Sequence, residues 1–258
     1  MINEVNWQYP NYDENITQGD MPGDKIKIVK GHEDKAKVIF PLLMEELKNS
    51  GKDKIVVSIY GGSGVGKTGV ASLLRYYLEQ SGIQAYVMSG DNYPHRIPKY
   101  NDLKREEVYK EKGREGLENY LGSELEINFK EVNEIIRLFH AGEKNIYLRR
   151  MGRSETALDY EAIDFSNVRV LILEWTHGNN AILRDIDYPI FLASTPKETL
   201  AHRMERNRDK DPDSPFVTMV LEIEQNLLTS QAPTAKWLIS KANEVISCEE
   251  FMERIHEE

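Results

Sequence analysis

A single cysteine, Cys248, stands among 258 residues. One thiol excludes an intramolecular disulfide and a cysteine-based zinc site. No apolar run approaches the ~18 residues that a membrane-crossing helix needs. A basic surplus is missing too: 33 Lys and Arg face 43 Asp and Glu, for a net charge of −10. That balance argues against a general nucleic-acid or anionic-membrane surface, though it leaves room for a local basic pocket. No pair of histidines has metal-ligand spacing, so no zinc is expected. The opening Met1-Ile2-Asn3-Glu4 lacks the basic-then-apolar plan of a secretory leader, and a cytoplasmic location is expected. No internal repeat is visible. The apolar 40% and charged 29% fit a soluble globular protein. The length allows one large α/β domain, or one domain plus an extension.

The chain is organised around residues 55–74. Ile55-Val56-Val57-Ser58-Ile59-Tyr60 reads as a buried strand and is followed by Gly61-Gly62-Ser63-Gly64-Val65-Gly66-Lys67-Thr68. Val70, Leu73, Leu74, Tyr77 and Leu78 then repeat at helical spacing. Strand, G-x-x-x-x-G-K-[ST] turn and helix make a phosphate-binding loop. Backbone N–H groups of the glycine turn and of the helix start, through Gly69, point at phosphate oxygens. Lys67 reaches the β and γ phosphates, and the Thr68 hydroxyl ligates Mg²⁺. A bound nucleoside triphosphate with Mg²⁺ is therefore expected.

Two further strand ends fall on the same edge of a parallel sheet, where the ligand crevice lies. Residues 84–89 end at Gly90-Asp91-Asn92-Tyr93, and residues 168–173 end at Glu174-Trp175-Thr176-His177. Asp91 reads either as a base near an acceptor hydroxyl or as a turn aspartate before Tyr93-Pro94. Glu174 reads as a Mg²⁺-side or substrate-side carboxylate, or as a plain strand-terminal one. Trp175 is expected in a pocket wall or in the core. Strands are also expected at 25–29, 145–149, 188–193 and 244–247, and helices at 34–48, 129–139, 197–207, 216–228 and 251–255. Residues 92–130 read as short helices in a substrate-side segment extending to about 153. The alternation implies a mainly parallel sheet with helices on both faces.

Gly61–Thr68, Gly90-Asp91-Asn92-Tyr93 and the run Val170–Leu173 closing in Glu174 together resemble the uridine kinase and phosphoribulokinase group of P-loop kinases. The helix at 199–209 resembles that group's arginine-bearing lid, about residues 203–216. Coverage runs over about 52–258, in the same order. Gly69 stands where a second Ser or Thr is usual, and Trp175 replaces a glycine. The resemblance implies an α/β P-loop fold at 51–258; residues 1–50 have no counterpart in it and read, from their own composition and spacing, as an arm and helix packed on it. It implies an ATP- and Mg²⁺-dependent kinase that transfers the γ-phosphoryl group to a hydroxyl of a nucleoside, sugar phosphate or similar metabolite. It casts Lys67, Asp91, Arg203 and Arg206 as catalytic, Arg208 as a further ATP contact, and Thr68 and Glu174 as the metal side. Tyr93, Arg96, Arg149, Arg150, Arg153, Glu174 and His177 join Asp91 as acceptor-site candidates. Arg149, Arg150 and Arg153 read equally as an anion clamp or as a solvated cluster. The lid arginines read also as favourable charge on a helix end. A small-molecule acceptor is the expected partner, without nucleic acid or membrane, and a homodimer stays open. The other class of function is a nucleotide switch without an acceptor, although the guanine-reading Asn-Lys-x-Asp sequence is absent.

Overall fold

The computed structural model describes residues 16, 19–23, 27–152, 154–195, 197–200 and 214–256. Its centre is strand β1 (Ile55–Tyr60), whose six residues are all buried. Strand β5 (Val170–Trp175) is equally buried and pairs with it in parallel, Ile59 opposite Glu174. On the far side of β5 lies β2 (Ala85–Ser89), with Ser89 opposite Glu174. On the other side of β1 come β6 (Tyr188–Leu192), β7 (Trp237–Ile239) and β8 (Val245–Ile246), of which only β8 runs antiparallel. The order is β2-β5-β1-β6-β7-β8. β-Branched runs buried on both faces suit the middle of a parallel sheet.

Helices cover both faces. Helix α1 (Lys30–Asn49) and helix α2 (Lys67–Gln80) bury Ile39, Leu43, Leu47, Leu73, Leu74 and Tyr77 against one face. Helix α4 (Phe129–His140) buries Val132, Ile136 and Phe139 against the other. Its start is capped by Asn128, whose side chain accepts the Glu131 N–H. Helix α3 (Pro98–Tyr120) precedes it and is broken at Gly113, whose φ is +66. Helix α5 (Pro215–Gln231) starts with Ser214 accepting the Val217 N–H and Pro215 in the first turn. Helix α6 (Cys248–His256) sets Phe251 edge-on to Phe191 at 5.0 Å.

The structure departs from expectation in several elements. Residues 27–29 form no strand, and the helix begins at Lys30, with Pro41 inside it. The substrate-side segment carries α3, two helical pieces that meet at the non-helical Gly113. Strand β3 (Asn145–Arg150) stands outside the main sheet, paired antiparallel with an unforeseen β4 (Asp159–Asp164). β7 was also unforeseen, because three residues show no period. The expected helix at 197–207 is described only at 197–200, where it is helical.

Candidate active site

The glycine turn leaves the central strand and enters α2. At Gly61 a Cβ would lie 2.6 Å from the Leu192 carbonyl oxygen of β6, so the loop can hug the sheet only without a side chain there. Gly66 is left-handed, with φ +93. Lys67 bends back over this loop and donates from Nζ to the carbonyls of Gly61 and Gly62, each at 3.0 Å.

Strand register sets the next layer. Ser89, Glu174 and Ile59 stand side by side on β2, β5 and β1. Glu174 is buried and accepts from the Ser89 hydroxyl at 2.9 Å and the Thr68 hydroxyl at 3.2 Å. Burial pushes its carboxyl up to about 8, and the Asp91 charge adds to the rise. Lys67 and the two hydroxyls pull the other way. Thr68, Glu174, Lys67 and Asp91 thus form one electrostatic unit. Hydroxyl and carboxylate oxygens side by side are the hard donors that Mg²⁺ takes.

Asp91 sits exposed on a short turn, Gly90–Asn92, at the end of β2. That turn is clamped from three sides. Asp20, from the arm, accepts the Ser89 N–H at 2.7 Å and the Asn92 amide at 3.0 Å. The Asn92 side-chain oxygen accepts the Met151 N–H at 2.9 Å. The indole of Trp175, 2% exposed, lies where a Cβ on Gly90 would fall. Trp175 therefore locks the β2 end to the β5 end and belongs to the core.

Beyond Lys67 and Asp91 lies a charged cluster that the sequence did not disclose. Arg105 of α3 pairs with Glu126 at 2.7 Å and with Glu224 of α5 at 3.6 Å. Glu126 is buried and also accepts the Gly122 N–H at 2.8 Å and the Asn101 amide at 2.9 Å. Burial pushes its carboxyl up, but the pull of Arg105, His177 and these donors leaves it below the usual range. Burial raises Glu224, which also feels Lys67 and Asp91. His177, edge-on to Trp175, is driven down to about 4 by burial. It feels the charges of Glu126, Arg105 and Lys67. Arg96 donates to the Tyr120 hydroxyl at 3.2 Å, on the edge of the cluster.

Three residues expected at the acceptor are placed elsewhere. Tyr93 is fully buried, its hydroxyl on the Met88 sulfur. Arg149 is buried and donates to the Pro94 carbonyl at 3.0 Å. Arg150 pairs with Asp20 at 2.9 Å and Glu161 at 3.0 Å, and donates to the Tyr86 hydroxyl at 2.8 Å. These guanidiniums answer carboxylates, a hydroxyl and a carbonyl of the chain itself, which the dense basic run could not reveal. Arg153, Arg203, Arg206 and Arg208 lie outside the described residues.

A family model described as adenylylsulphate kinase matches residues 53–118, the segment carrying the phosphate loop and Asp91. Among solved structures, phosphoribulokinase from Rhodobacter spheroides superposes with a TM-score of 0.55 at 15% identity, over 74% of this chain and 71% of that one. D-glycerate 3-kinase from Cryptococcus neoformans var. grubii gives 0.55 at 12% identity, over 85% of this chain and 99% of that one. The fold is that of the P-loop kinases. A curated relative is 47% identical over 194 residues: the bifunctional alpha-galactosidase/sucrose kinase AgaSK of Mediterraneibacter gnavus. The match covers 75% of this chain and 21% of that protein, so the chain spans about a fifth of the relative's length. Among the described residues no helix is long and apolar enough to cross a membrane.

Proposed function

We propose that this P-loop protein is an ATP- and Mg²⁺-dependent kinase that phosphorylates a hydroxyl of a neutral sugar. The observation that carries the transfer is the shared Glu174 carboxylate: it takes the Thr68 and Ser89 hydroxyls at the sheet edge, beside Lys67 and within the field of Asp91. Gly61–Gly69 would cradle the phosphates, with Lys67 on the transferring end. Thr68 and Glu174 would hold Mg²⁺, which supplies charge neutralisation on the phosphates when bound. Asp91 orients the acceptor hydroxyl and takes its proton as that oxygen bonds to the γ-phosphorus and the bond to ADP breaks. Arg203, Arg206 and Arg208 would add charge to the departing phosphates.

A neutral acceptor is favoured because the cluster that feels Lys67 and Asp91 is made of Glu126, Glu224 and an Arg105 paired with both. Arg149 and Arg150, the guanidiniums suited to a phosphorylated acceptor, are engaged internally. Sugar hydroxyls donate to carboxylates and accept from guanidinium and imidazole N–H groups. The relative named as a sucrose kinase points the same way, and sucrose is the acceptor we propose first.

The test is ATP consumption with sucrose, fructose, uridine and ribulose 5-phosphate, with product mass measured. Turnover with sucrose or another neutral sugar is expected, and Asp91→Asn should lower kcat by at least a hundredfold while ATP binding persists. Turnover only with a phosphorylated acceptor would overturn the neutral-sugar reading. Nucleotide binding with no acceptor among a broad metabolite set would favour a switch.

A further inference from the structure

The start of α1 is packed on the phosphate loop. His32, in its first turn, covers two loop glycines. A Cβ on Gly66 would lie 2.6 Å from His32 Cδ2 and 2.7 Å from Nε2; one on Gly69 would lie 2.7 Å from both Cε1 and Cγ. Residues 66 and 69 are three apart and share one face of the first turn of α2. The imidazole occupies that face, and only glycines admit it. Its orientation is set by the backbone: the Val29 N–H donates to Nδ1 at 3.3 Å, which puts the ring proton on Nε2. The arm also touches the loop farther along, since a Cβ on Gly19 would lie 3.3 Å from Thr68 Cγ2.

The loop's phosphate contacts are divided by position. Lys67 reaches the β and γ phosphates, and the Thr68 hydroxyl faces the metal side. The phosphate next to the nucleoside is then left to the side of the loop that carries Gly66, Gly69 and the imidazole over them. We propose that His32 is a nucleotide-binding residue whose Nε2–H donates to the α-phosphate. It supplies from α1 the donor that a hydroxyl side chain at position 69 would otherwise present. The inference rests on reading Gly61–Thr68 as the ATP site. It makes the N-terminal segment part of that site.

Calorimetric dissociation constants for ATP and ADP, measured on the full chain with Mg²⁺, test it. The α-phosphate is common to both nucleotides, so His32→Ala should weaken both by the same factor, roughly tenfold for one charge-assisted hydrogen bond. Gly69→Ser alone should weaken both as well, because its side chain strikes the ring. The double variant His32→Ala/Gly69→Ser should regain most of the affinity, which a purely structural histidine would not produce. If His32→Ala does not fold, His32→Phe keeps the ring and removes the donor, and the same tenfold loss is expected. Unchanged ATP and ADP affinity in the His32 variants, or no recovery in the double variant, would overturn the inference alone. A wild-type protein that binds no nucleotide would overturn the kinase reading and this inference with it.

Discussion

At Glu174, burial and the hydroxyl donors act on one proton in opposite directions. With its carboxyl at about 8, it is mostly protonated at neutral pH, held between the Ser89 and Thr68 hydroxyls. A divalent cation requires the carboxylate. Binding of Mg²⁺ with nucleotide at pH 7 should therefore release close to one proton. Calorimetry in two buffers of different ionisation enthalpy reads that number directly. Glu174→Gln should abolish the release and weaken Mg²⁺ dependence; an unchanged proton count in the variant would remove Glu174 from the metal side. Gly90 poses the complementary steric case. A methyl there meets the buried Trp175 indole, which packs against Phe129 at 5.4 Å and His177 at 5.5 Å and has nowhere to retreat. Gly90→Ala should cost about 1–3 kcal/mol in urea unfolding and depress kcat by shifting Asp91. Wild-type stability and kcat would show that the ring yields.

The elements proposed to hold the phosphates and those proposed to face the acceptor were unequally legible. β1, apolar but for Ser58, and the apolar start of β5 lead into Gly61 and Glu174, and the sheet-edge rule brought Asp91 to the same rim. Acceptor-side elements carry no such mark. Arg105, Glu126 and Glu224 lie on three separate stretches of charged sequence, where a buried ion pair looks the same as a solvated one. Only packing of α3, the loop before α4 and α5 brings them together. Asp20 is a similar case: no period or motif marks it, yet it reaches Arg150 across 130 residues of sequence. Arg149 and Arg150 close the ribbon strand β3, which sets them against Pro94 and Asp20. A prediction belongs to this level. Glu224→Gln keeps the shape and removes a charge next to Arg105, so the acceptor KM should rise roughly tenfold, as expected for one hydrogen bond to a charged group. The ATP KM should stay within about twofold. Equal changes in both KM values would place α5 on the nucleotide instead.

For the whole molecule, acid and base response is divided between the arm and the core. Asp20, buried in the arm's contact with Arg150, is raised by burial from 3.8 to about 6. Its folded form holds a proton that the unfolded chain releases, so that contribution to stability is full below about pH 4 and is lost as pH rises through 6. His177 is opposite. Its folded value near 4 lies below the ordinary 6.5, so the unfolded chain takes up a proton that the folded one refuses. That contribution is full above 6.5 and is lost as pH falls through 4. Each is worth about 3 kcal/mol across its window, from the free energy of one pH unit per proton. Other raised carboxyls, Glu174 and Glu224, share the sign of Asp20, so differences from wild type are the clean measure. Relative to wild type, Asp20→Asn should gain stability as pH rises from 4 to 6, and His177→Gln should lose it from 4 to 6.5. Urea midpoints at half-unit steps would record two divergent curves. Curves that stay parallel to wild type would mean that the arm does not dock through Asp20 and that His177 is solvated. Divergence of both, with the stated signs, would establish that the Asp20 contact and the kinase fold are lost in one cooperative step, since Asp20 can report on global stability only if its contact is lost with the core.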